Sequence, residues 1–172
     1  TWPDGDTTPF HGEKATCWEG GFRVPCLVRW PGKIPAGNVS NGIVHHMDWM
    51  PTLLAAAGEP NIKEKLKKGY KAGDKTFKVH LDGYNMLEYW KSGGEGAGPR
   101  EEIFYFTDVG ELAAVRHKDY KLHFMIQEAH GFDVWKNPYT PLGWPSLVDL
   151  RADPFERAMH ESIGWGLWAT KR

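Results

Sequence analysis

Twenty glycines and twelve prolines are scattered through 172 residues, and this punctuation constrains the chain more than any other feature. Glycine supplies backbone angles that end regular structure and proline removes a backbone donor, so the chain is cut into short elements joined by turns. No internal repeat is present. The length suits one domain of ordinary size or one and a half, burying roughly 70% of the unfolded chain's surface. With 41% hydrophobic and 25% charged residues, the composition is that of a globular protein with a packed core, not of a disordered tail or fibrous repeat. A formal net charge of −1 offers no field to hold a nucleic-acid backbone, so nucleic acid is not an expected partner. No stretch approaches the roughly 20 apolar residues of a transmembrane segment. The start, Thr1 to Asp6, has neither the basic nor the apolar part of a signal peptide, and the absent initiator Met points to a fragment. Cys17 and Cys26 lack C-x-x-C spacing or a surrounding His/Cys cluster, so no zinc site is expected and both read as small core residues.

The first 25 residues, rich in Gly, Pro, Asp and Thr, read as a long loop, which a compact domain keeps only when the loop has work to do. Cys26 to Trp30, stopped by Pro31-Gly32, reads as a strand. A helix follows over 49–57: Asp48 is placed to cap it, Pro51 falls in its first turn and Gly58 suits the C′ position. Residues 61–78 carry seven lysines against Glu64 and Asp74 and read as a solvated connection, with a patch for an acidic partner as the alternative. Tyr84 to Lys91 reads as a short helix, and Ser92 to Gly98 as a flexible link and the one plausible domain boundary. Beyond it, Ile103–Phe106, Ala113–His117, Tyr120–Met125 and Leu147–Leu150 form four β-rich runs, the second and third separated by the two-residue turn Lys118-Asp119. Strands in close succession favour a small antiparallel sheet, covered on one face by a helix over 155–163.

The opening loop sets a single Lys14 and a single Arg23 among glycines. Glycine lets backbone approach a ligand closely, and the Lys ammonium is a compact charge suited to a sulfate or phosphate oxygen. A solvated loop lysine accounts for the same residues. His45-His46-x-Asp48 has the composition of a metal site, but adjacent His side chains diverge and Asp48 is wanted as a cap. Asn38-Val-Ser40 fits a glycosylation acceptor. Trp135, Tyr139, Trp144, Trp165 and Trp168 either stack on a sugar or fill a core or cleft.

The run Gly12-Glu-Lys14-Ala-Thr16-Cys-Trp18-Glu19-Gly20-Gly21-Phe-Arg23-Val-Pro25 resembles the G-x-K-x-T-x-W/Y-E-G-G-x-R-x-P signature of the type I sulfatases, most of all those of the arylsulfatase A kind. The resemblance continues through Asp48-x-x-Pro51-Thr52-Leu53, Leu81-Asp82-Gly83, Pro99-Arg100, the segment 121–133 and Leu147-Val-Asp-Leu-Arg-Ala-Asp153-Pro154-x-Glu156. It implies an α/β, alkaline-phosphatase-like fold, of which this chain would be the C-terminal portion, truncated at both ends. Residues 1–98 would belong to the large domain and 99–172 to a subdomain with a small antiparallel sheet. The implied activity is hydrolysis of sulfate esters by a formylglycine made within a C/S-x-P-x-R motif, with calcium on Asp and Asn side chains. Neither Cys17 nor Cys26 sits in that motif, and the Asp-Asn calcium pair has no match, so the chain alone is expected to be inactive and to bind no calcium. Lys14 matches a catalytic position, where it would bind the ester's sulfate oxygens; His130 matches a loop near the substrate mouth. His11 stands where relatives often carry Arg. The competing reading is a non-catalytic module for sulfated glycans or other anions. A sulfate ester is the expected partner, self-association is expected of strands parted from their neighbours, and the family implies a periplasmic, secreted or lysosomal setting.

Overall fold

The computed structural model describes residues 8–161 together with Gly164, Leu167 and Trp168. In chain order the helices and strands are α1 (Glu19–Phe22), α2 (Trp49–Ala56), α3 (Ile62–Lys68), β1 (Tyr70–Ala72), β2 (Lys75–Phe77), α4 (Leu87–Lys91), β3 (Glu102–Phe106), β4 (Leu112–His117), β5 (Tyr120–Ile126), β6 (Thr140–Asp149) and α5 (Ala158–Glu161). They fall into two compact units, one made of Thr1–Cys26 with Glu102–Arg172 and the other of Leu27–Glu101.

In the first unit the four runs past Pro99 form one antiparallel sheet in the order β3-β4-β5-β6. The expected turn at Lys118-Asp119 is present: His117 faces Tyr120 across it, with Lys118 at φ 54°. Side chains of alternate residues turn to opposite faces, so Tyr105, Ala114, Lys121 and His123 are buried while Phe104 and Tyr120 are exposed. The buried face of the sheet receives the opening loop, whose Cys17 packs with Tyr105, Ala113 and Ala114. α5 lies against β6, and the last two residues of the helix expected over 155–163 fall outside the described residues.

In the second unit α2 ends as expected. Gly58 at φ 99° closes a Schellman turn in which Glu59 N–H donates to Leu54 O at 2.8 Å and Gly58 N–H to Ala55 O at 3.1 Å. Its start differs from expectation. Asp48 gives α2 no side-chain cap; its carboxylate accepts from the N–H of His45 at 2.8 Å and of Tyr84 at 2.7 Å, and from Arg100 Nε and Nη2. A buried guanidinium 52 residues away outbids the local cap because a forked, charge-assisted pair is the stronger bond. Burial opposes ionisation of Asp48, but Arg100 and the two backbone donors outweigh it and hold its carboxyl below the usual carboxylate range.

Two further expectations are corrected. Residues 61–78 form α3 and the β1–β2 hairpin, because Ile62 and Leu66, four apart, bury one helical face beneath the lysines. Cys26–Trp30 forms no strand: it has no ladder partner among the described residues, Leu27 is 96% exposed, and Cys26 is exposed rather than core. The helix expected from Tyr84 begins at Leu87.

Candidate anion-binding site

The turn that carries Lys14 is built by its neighbours in sequence. Thr16 Oγ1 donates to Glu13 O at 2.6 Å and accepts from Glu13 N–H at 3.2 Å, while Thr16 N–H returns to the same carbonyl at 3.1 Å. Ala15 is thereby held at φ 71°, and Tyr139 donates its hydroxyl to Ala15 O at 3.2 Å. Gly20 N–H closes the loop onto His11 O at 2.7 Å, and a Cβ at Gly20 would stand 2.4 Å from Gly12 O, so only glycine allows this approach. Trp18 stacks on His11 at 4.4 Å and donates its indole N–H to Gln127 O at 3.1 Å. From Gly12 to Gly21 the glycines, Thr16, Trp18 and Glu19 are packed into the turn, while Lys14 is exposed.

Beneath the turn lies a buried network of ions. Glu19 accepts from Lys121 Nζ at 3.0 Å, Tyr105 OH at 3.1 Å and Arg116 Nη1 at 3.0 Å. Glu156, from the Asp153-Pro154-x-Glu156 turn, accepts from Glu19 N–H at 2.6 Å and pairs with Lys121 Nζ and His123 Nε2, both at 3.0 Å. Burial depresses the His123 pKa, so the ring is neutral and donates Nε2–H to Glu156. Burial works against the Glu156 charge, but the His123 bond and the Lys121 charge outweigh it and hold its carboxyl below the usual range. Cys17 Sγ lies 3.4 Å from Met125 O, and burial pushes the thiol up to about 11, which leaves it an inert packing group.

The outward side of the turn meets the loop that follows β5. Glu13 accepts from Gly131 N–H at 2.6 Å, with His130 Nδ1 3.9 Å from the same oxygen, and Lys14 Nζ stands 5.4 Å from the centre of the Trp135 ring. The loop keeps its shape through buried Gln127, whose amide donates to Asn137 O at 2.8 Å and accepts from Ala129 N–H at 3.0 Å. The two sequence-predicted site residues, Lys14 and His130, thus stand on loops tied together by Glu13, both exposed. Of the aromatics singled out in the sequence, Trp135 stands here, Tyr139 is tied into the Lys14 turn, Trp144 is exposed, and Trp165 lies outside the described residues. Glu13 and Gln127 were not legible in advance, because a carboxylate or amide in a loop carries no local signal of a partner 118 or 10 residues away.

Among the described residues no three His, Cys, Asp or Glu side chains converge as a metal-binding group. In the His45-His46-x-Asp48 run, His45 Nδ1 accepts from Met47 N–H at 3.1 Å and Asp48 is taken by Arg100.

A small antiparallel sheet with a signature loop clamped to its buried face defines the C-terminal portion of an α/β sulfatase fold, and comparison agrees. The family model "Sulfatase" matches residues 3–59. The PsFucS1 sulfatase from Pseudoalteromonas sp. superposes with a TM-score of 0.74 at 25% identity, over 99% of this chain and 32% of that one. Human arylsulfatase A is 32% identical over 83% of this chain, and the arylsulfatase of Hemicentrotus pulcherrimus 34% identical over 93%. The chain belongs to the type I sulfatase family. It spans 27% of the human relative's length and 29% of the sea-urchin relative's.

Proposed function

We propose that the chain supplies the sulfate-binding cation and substrate-mouth loops of a sulfuric ester hydrolase. The observation that carries this reading is the Lys14 turn, in which Gly12, Thr16, Trp18, Glu19, Gly20 and Gly21 are taken up in packing and bonding while one ammonium projects outward. A cation presented in this way meets the sulfate oxygens and stabilises charge growing on the leaving oxygen as the S–O bond breaks. His130, held near Glu13 on the facing loop, offers a ring N–H to the ester. Neither group is a nucleophile, and neither cysteine occupies a C/S-x-P-x-R motif, so bond cleavage belongs to residues other than these. No step here runs through the calcium ion that the resemblance implies. The arylsulfatase relatives support a secreted or lysosomal setting, and no helix among the described residues is long and apolar enough to cross a membrane.

The test is binding followed by turnover. The purified chain should bind 4-nitrophenyl sulfate without hydrolysing it, and Lys14→Ala should abolish the binding. In a longer product of the same gene that carries the C/S-x-P-x-R motif, Lys14→Ala should lower kcat/KM roughly ten- to a few-hundred-fold, the worth of one charge-assisted contact. Kinetics unchanged by the substitution would show Lys14 to be a solvated loop residue.

A further inference from the structure

Trp135 stands beside the Lys14 ammonium, 5.4 Å from ring centre to Nζ, and 57% of it is exposed. It sits in the short 3₁₀ turn Gly131–Trp135, whose Val134 is buried and whose first N–H is gripped by Glu13 at 2.6 Å. Gln127 fixes the far side of the loop through Asn137 O at 2.8 Å. The indole is open to solvent on a loop anchored at both ends, with the Lys14 ammonium over its ring. Phe132, 85% exposed in the same turn, extends the apolar surface.

Resting on the sulfate-binding role of Lys14, we infer that Trp135 is a specificity-determining residue that stacks against the ring of the sulfate ester held by Lys14. The ligand class is a sulfate ester on a ring with an apolar face, aryl or sugar, as opposed to an open-chain alkyl sulfate. The chemistry of the pair fits both halves of such a molecule: the anion goes to the ammonium, and the ring, attached through one ester oxygen, lies beside the ammonium on the exposed part of the indole. Glu13 belongs to the same device. Its carboxylate holds the Trp135 turn against the Lys14 turn, so the spacing between charge and ring is built into the chain rather than left to the ligand.

The experiment compares three probes, 4-nitrophenyl sulfate, methyl sulfate and inorganic sulfate, binding to the 172-residue chain and followed by the amide shifts of Ala15 and Gly131. Trp135→Ala is expected to weaken 4-nitrophenyl sulfate about tenfold and to leave the other two within about twofold, and Trp135→Tyr to restore most of the loss. An equal loss for all three probes, or no loss for any, overturns the inference. Should Lys14→Ala weaken all three while Trp135→Ala weakens none, the stacking role alone fails. Should Lys14→Ala change nothing, or no probe bind, the sulfate-binding role fails and the inference with it.

Discussion

At the scale of single residues the first part of the signature, from Gly12 to Gly21, is packed closely around the outward Lys14. Gly20 shows this most sharply, because a methyl group there would overlap the carbonyl oxygens of Phe10, His11 and Gly12 at 2.4 to 2.6 Å. Gly20→Ala should therefore destabilise the chain by about 3 kcal/mol or more, at the upper end of overpacking costs, with a matching fall in the denaturant midpoint. A fall under half that size would mean that the loop can move aside. Glu13 acts on a smaller scale, through one bond to Gly131 N–H at 2.6 Å on a partly exposed side chain. Glu13→Ala should leave overall stability within about 1 kcal/mol but speed amide exchange at Gly131. Unaltered exchange at Gly131 would remove Glu13 from its role as the tie between the loops.

At the scale of elements, α1, β4, β5 and the 153–156 turn meet through charges and not through apolar contacts alone. Two carboxylates, Glu19 and Glu156, share the fully buried Lys121, with Arg116 beside Glu19 and His123 beside Glu156. Glu156→Gln takes one of the two carboxylates from Lys121 while Glu19 stays paired with it, so it should cost about 1.5–3 kcal/mol, the worth of a charged hydrogen bond, measured by urea unfolding. A loss below about 1 kcal/mol would show the network to be replaceable. The same groups set the acid response. His123 and Glu156 both titrate lower in the folded chain than when free, so the unfolded chain binds more protons and stability rises with pH. The His123 penalty sets in as pH falls below its ordinary value of about 6.5, and the Glu156 contribution, complete above about 4.3, is lost as pH falls through its lower folded value. Thermal midpoints should fall from pH 7 to pH 5, and His123→Asn should flatten that interval. A midpoint that climbs on acidification would contradict the sign of both shifts.

For the molecule as a whole, protection from exchange should follow the ladders. β4 and β5 each have a strand on both sides, and their amides should exchange slowest. Residues 23–30 carry no regular structure and include Leu27 at 96% exposure, so they should exchange in the fast class. Hydrogen exchange on a monodisperse sample showing equal protection over 23–30 and 113–126 would refute this ordering.

How much was legible in the sequence follows from how far each signal reaches. The four-stranded sheet and the Gly58 stop were readable because alternation, a two-residue turn and a C′ glycine act between near neighbours. The Lys14 stretch was readable only as a loop: Glu13 and Thr16 close its turn locally, but Tyr139 and Gly131 bond it from more than a hundred residues away. Cys26–Trp30 had the composition of a strand and formed none, since a strand needs a partner that composition does not supply. Helix α3 was hidden under its own lysines, whose charges masked the Ile62–Leu66 face. The pairings Asp48 with Arg100, Glu19 with Lys121 and Glu13 with Gly131 span 52, 102 and 118 residues. Sequence by itself determined the local turns, the strand edges and the cation they present. Which carboxylate meets which cation was decided only by tertiary structure, because an ion pair selects its partner by distance in space, and that distance exists only once the sheet has folded.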